Sequence, residues 1–140
     1  MPDKIILYPI FPLLALTVYV LLRTFLSRLK AVKSGAISPK FYKTYSEGKE
    51  PEEQAINARH LSNLMETPPL FYITCLLIYV TGINSLLLTI CAWLFVGSRF
   101  AHSYIHLGSN NVIHRYRIFF AGMVILLVMW IVSFIGIIQL

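Results

Sequence analysis

Arg59-His60-Leu61-Ser62-Asn63-Leu64-Met65-Glu66-Thr67-Pro68-Pro69 carries a cation, an amide and a carboxylate straight into an apolar run that continues to Ile83. On a helix, Arg59, Asn63 and Glu66 fall at i, i+4 and i+7, so the three project from one face about two turns long. Insertion scales put a charge in the middle of hydrocarbon at about 2.5–3.5 kcal/mol, so such residues turn toward a partner or a wet cavity. The stretch therefore reads as a polar stripe at the mouth of a membrane helix. Pro68 and Pro69 interrupt its backbone hydrogen bonding just inside that mouth and predict a kink.

The composition of the rest agrees. Of 140 residues, 57% are hydrophobic and 13% charged, about half the charge of an ordinary soluble domain. Apolar runs long enough to cross about 30 Å of hydrocarbon at about 1.5 Å per residue occur four times. With their flanks they cover about 5–27, 60–83, 85–107 and 114–138. The expectation is an all-α integral membrane four-helix bundle, a single domain over residues 1–140 with no internal repeat.

The first run differs from a signal peptide, because its positive charge follows the apolar core and no small-residue cleavage site appears, so a retained helix is expected. Cys75 and Cys91 lie within apolar segments, which suggests buried packing rather than a disulfide framework or a reactive thiol.

The net charge of +6 does not indicate nucleic acid, since the cations stand beside membrane segments and not among exposed aromatics. Residues 23–59 hold eight Lys or Arg, and the third connection adds Arg115 and Arg117, whereas the termini and the second connection offer only Lys4. By the positive-inside rule the first and third loops are expected on the cytoplasmic side and both termini on the other. Lys30 and Lys33 are placed to snorkel to membrane lipid; Arg23 and Arg28 allow that reading or a functional one.

Between the first two spans, residues 35–50 form a polar connection with Pro39, Gly48 and three aromatics, too irregular for a clear helix and able to lie across the end of the bundle. Pro51-Glu52-Glu53 is a helix start, with proline early and carboxylates at the positive end of the dipole. Gly82-Ile83-Asn84-Ser85 predicts a tight turn with an Asn or Ser cap, making the second and third spans antiparallel neighbours. The third span ends in Gly97-Ser98-Arg99-Phe100-Ala101-His102-Ser103-Tyr104-Ile105-His106, closed by Gly108. Arg99, His102 and His106 at i, i+3 and i+7 give a second polar face, at the same end as the first.

At that depth Glu66 has a natural partner in Arg99 across the bundle, yet one carboxylate cannot neutralise Arg59, Arg99 and Arg115 together. Several arginines with an amide and one acid suit a ligand with more than one carboxylate and an ammonium, because guanidinium grips carboxylate in bidentate fashion. A glutathione-like peptide has that pattern. His102 and His106 at i, i+4 could ligate a metal, but they lack the glutamate of a zincin motif and an obvious third ligand, so no metal is expected. No motif around Ser98 or Ser103 supports a serine nucleophile.

These residues resemble the membrane-associated proteins in eicosanoid and glutathione metabolism, the MAPEG family. The resemblance is carried by Arg59-x-x-x-Asn63-x-x-Glu66 followed by proline, by Gly97-x-Arg99-x-x-His102, by Arg115 at the start of the fourth helix and by the long basic first loop. It implies a homotrimer with glutathione as co-substrate, bound between subunits at the cytoplasmic end. Arg59, Asn63 and Glu66 would hold the peptide, Arg28 would reach it from the adjoining chain, and His102 would share the pocket. Arg115 would be catalytic, stabilising the thiolate. Arg99, His106 and Tyr116 complete the candidate glutathione-binding set. Several members have a tyrosine where this chain has His106, and some have one at Phe119 and a small residue at Tyr116.

The activity this implies is a glutathione transferase conjugating lipophilic electrophiles, or a peroxidase reducing lipid hydroperoxides, with the apolar substrate arriving from the lipid. A bacterial inner-membrane member is favoured by the short connections. The alternatives are a non-catalytic membrane subunit or scaffold and, less favoured, a small transporter, since the charges gather at one end.

Overall fold

The computed structural model describes residues 4–46, 48–83 and 85–140. A short 3-10 turn, Lys4–Leu7, leads into α1 (Ile10–Lys33). A single turn α2 (Phe41–Thr44) precedes α3 (Glu52–Glu66) and α4 (Pro68–Thr81), and then come α5 (Leu86–Leu107) and α6 (Val112–Ile138). Four stretches are long and apolar enough to cross a membrane: Lys4–Lys33, Glu52–Thr81, Leu86–Leu107 and Val112–Ile138. The chain is a multi-pass membrane protein, all helical among the described residues, and the expected spans correspond to these stretches.

The second span is two helices. Pro68 and Pro69 have no N–H to give to the carbonyls four residues back, so the ladder breaks at Thr67. Just before the break, the Thr67 N–H and hydroxyl both reach the Asn63 carbonyl, at 3.4 and 3.3 Å. The kink expected from the two prolines is thus an interruption between α3 and α4.

In lipid the bundle is held by close packing and interhelical hydrogen bonds, since hydrocarbon outside is as apolar as the core. Leu13 and Val20 of α1, Phe71 and Cys75 of α4, Ala92 and Phe95 of α5, and Met129 of α6 are fully enclosed. Phe71 and Phe95 stack with centroids 4.6 Å apart, while His60 meets Ser103 further along. Ascending numbers on one span face descending numbers on the other, which is the antiparallel arrangement expected. Both cysteines are free and lie in this core. The indole N–H of Trp130 on α6 donates to the Thr74 hydroxyl on α4 at 2.6 Å.

Ser85 occupies the cap position of α5 with extended φ and ψ of −144° and 126°, but its side chain makes no capping bond; Asn84, the other expected cap, lies outside the described residues. Gly82 closes α4 at φ 70°. In the first connection, Phe41 and Ile37 are buried and the Tyr42 hydroxyl donates to Gln54 Oε1 at 2.6 Å, so this segment does fold back on the bundle end. Arg23 does not snorkel freely: its Nε donates to Asn57 Oδ1 at 3.2 Å.

Candidate functional site

Helix α3 is polar on two faces for different reasons. It starts after Pro51, with Glu52 and Glu53 in the first turn, as the sequence predicts. Its inward face is Gln54, Asn57, His60 and Leu64, all buried. Arg59 and Glu66 are exposed and Asn63 is half-buried, so the i, i+4, i+7 stripe runs along the outside of the chain. Glu66 Oε1 accepts from the Ser62 hydroxyl one turn back at 3.0 Å.

The expected pairing of Glu66 with Arg99 is not formed. Arg99 on α5 is buried, and its guanidinium donates to the Phe119 carbonyl at 3.0 Å and, at 3.5 Å each, to the Ile118 carbonyl and the Thr67 hydroxyl. The rings of Phe95 and Phe119 lie 5.1 and 4.9 Å from its Cζ. Gly122 makes room for it: a Cβ there would run into Arg99 Nη2. Backbone carbonyls and aromatic faces thus take the place of a counter-ion, and Thr67, left at the proline break, supplies one of the acceptors.

The start of α6 is fixed by Asn111, whose side chain accepts from the N–H groups of Ile113 and His114 at 3.1 and 3.2 Å. The helix consequently begins at Val112, two residues before the expected boundary at His114. One turn on, Arg115 Nη1 donates to Asn110 Oδ1 at 2.6 Å, and the Arg115 carbonyl accepts from His102 Nδ1 at 3.2 Å. Asn111→Ala should lower stability by about 1 kcal/mol through loss of the cap, read as a lower melting temperature in detergent.

Between these elements lies a cleft of about 240 Å³ lined by Asn63, His102, Val112, Arg115, Tyr116 and Phe119. It brings together four of the sequence-predicted residues, Asn63, His102, Arg115 and Tyr116, from three helices. Arg59 and Glu66 flank Asn63 on α3 without lining the cleft. Arg99 and His106 are buried and do not line it. Arg28 is elsewhere in the same chain, half-buried near the end of α1 with its guanidinium 5.5 Å from the Tyr42 ring centre.

His60 is the residue that sequence reasoning passed over. It is wholly enclosed and comes together with His102 and His106, one nitrogen from each lying within 4.8 Å of the others. The centroid of its ring is 4.7 Å from that of His106 and 5.8 Å from that of His102. The third imidazole that was missing beside His102 and His106 is therefore present, on a different helix. Its signal was the inward spacing Asn57, His60, Leu64 at i, i+3 and i+7, which sets it apart from neighbouring Arg59.

A sequence model of the MAPEG family matches residues 6–135. No curated protein and no solved structure matches the chain.

Proposed function

We propose that this chain, which belongs to the MAPEG family, is a glutathione-dependent membrane enzyme, a transferase or peroxidase acting on lipophilic electrophiles or lipid hydroperoxides. The observation that carries the reading is the cleft where Asn63, His102 and Arg115 meet from three helices, with exposed Arg59 and Glu66 beside it. Its polar wall offers an amide, an imidazole and a permanent cation, and its outer edge adds a second guanidinium and a carboxylate. That set suits a peptide with two carboxylates and one ammonium, the guanidinium groups taking the carboxylates and Glu66 the amine.

The cleft has Asn63 in its wall, between exposed Arg59 and Glu66 along α3. In this proposal a homotrimer closes it, with Arg28 of a neighbouring copy completing the peptide site, since within one chain Arg28 lies against Tyr42. The apolar co-substrate diffuses in from the bilayer past the lipid-facing wall formed by Tyr116, Val112 and Phe119. The basic first and third loops face the cytoplasm, and a bacterial inner membrane is the proposed location.

Reduced glutathione at about ten times its dissociation constant should stabilise the purified protein by about 1.4 kcal/mol, a rise of about 5 °C in melting temperature. Arg59→Ala and Glu66→Gln, both on the surface of α3, should melt like the parent without ligand and lose the rise with it. Absence of any shift at millimolar glutathione would favour a non-catalytic membrane scaffold instead.

A further inference from the structure

We infer that His60, His102 and His106 form a metal site that takes a divalent first-row transition ion of the zinc type through three imidazole nitrogens. The inference goes beyond the glutathione reading and shares one residue with it, His102. His60 comes from α3 and the other two from successive turns of α5, so the three donors sit on rigid elements that cross near the loop end of the bundle. All three are at least nine-tenths buried. Four of their ring nitrogens have no hydrogen-bond partner: His60 Nδ1, His102 Nε2 and both nitrogens of His106. Buried polar groups without partners are rare because each costs about 1–3 kcal/mol, and here four occur on three histidines that each bring one nitrogen to within 4.8 Å of the others.

The remaining hydrogen bonds fix which nitrogens are free to ligate. His102 Nδ1 donates to the Arg115 carbonyl at 3.2 Å, which leaves the lone pair on Nε2. His60 Nε2 meets the Ser103 hydroxyl at 2.8 Å, and donation there leaves the lone pair on Nδ1. A ring N–H anchored on a carbonyl or hydroxyl while the other nitrogen points into a cluster is the outer-shell pattern of metal-binding histidines. His106, with neither nitrogen engaged, can present either.

Tetrahedral zinc with bonds of about 2.0–2.1 Å needs nitrogens about 3.3 Å apart. One nitrogen from each lies within 4.8 Å of the others, so binding draws the three rings inward by about 1.5 Å to reach that spacing. An all-nitrogen donor set excludes calcium and magnesium, which need oxygen ligands. Three protein ligands leave a fourth position, and His102 also lines the cleft with Asn63 and Arg115. Arg115, in the wall of the same cleft, favours an anion there.

The test is a titration of chelator-treated full-length protein in detergent with zinc chloride by calorimetry, and with cobalt chloride by visible absorption. One ion per chain and a tetrahedral cobalt band are expected. His60→Ala, His102→Ala and His106→Ala should each weaken binding by about a hundredfold or more, while His114→Ala, on the exposed start of α6, should bind as the parent does. Binding that survives all three substitutions, or no cobalt band in the parent, overturns the site. X-ray absorption at the zinc edge of the unmutated protein gives an answer that does not depend on any variant folding: three imidazole scatterers support the site and fewer than three refute it.

Discussion

If the proposed activity holds, Arg115→Ala should lower turnover of a lipophilic electrophile about 25-fold at neutral pH and leave assembly intact. A guanidinium beside a thiol of ordinary pKa about 8.5 lowers it by about 1–3 units. A shift of two units raises the thiolate from about 3% to about 75% at pH 7, and the attacking species with it. The position of Arg115 is well determined, since Asn110 holds its guanidinium and His102 holds its carbonyl. Because the lost advantage is one of ionisation, it should shrink as pH rises through about 8.5, where the glutathione thiol ionises unaided. A pH profile of kcat/KM for parent and variant reads both features. A deficit that persists unchanged at pH 9 would mean that Arg115 acts otherwise than through the thiol, and undiminished turnover at pH 7 would take it out of the mechanism.

Gly122→Ala should destabilise the protein by about 2–3 kcal/mol, a fall of about 10 °C in melting temperature. Ordinarily alanine is the better helix residue by about 1 kcal/mol, so the expected sign is the reverse of the usual one. The reason is local. A Cβ at this position would collide with Arg99 Nη2, and it would stand 2.6 Å from Ser98 Oγ. The guanidinium cannot simply retreat, because it is clamped between two phenylalanine rings and bonded to the Phe119 carbonyl. Pushing it aside strands a buried cation. Combining Gly122→Ala with Arg99→Met should remove most of that penalty, as the flexible thioether yields where the planar fork does not. Equal melting temperatures for the parent and the single glycine variant would show that helices α5 and α6 do not approach as closely as described.

The spans were legible in the sequence because length and hydropathy are all that crossing hydrocarbon requires. Which way each polar residue points was not legible. In a soluble protein the apolar stripe marks the inside of a helix, but in lipid both faces are apolar and that cue is lost. Arg59 and His60 are adjacent, yet one is exposed and the other wholly enclosed, and the spacing Asn57, His60, Leu64 that separates them becomes decisive only once the packing shows which face is inward. Arg99 shows the same limit: a cation at that depth called for a carboxylate, whereas the fold satisfies it with carbonyl oxygens, a threonine freed by the proline break and two aromatic rings. Within the candidate site, Asn63, His102, Arg115 and Tyr116 line one cleft. The place of Arg28 depends on contacts between chains, about which spacing along one chain says nothing.

Cys75 and Cys91 are buried in the packed bundle, each within a membrane-spanning stretch. Thiol-directed reagents added in water thus meet no accessible native thiol on this protein. Any thiol consumed in an assay mixture can be attributed to the added tripeptide alone, and a single cysteine engineered into either basic loop would be a unique label for reporting which side of the bilayer that loop occupies.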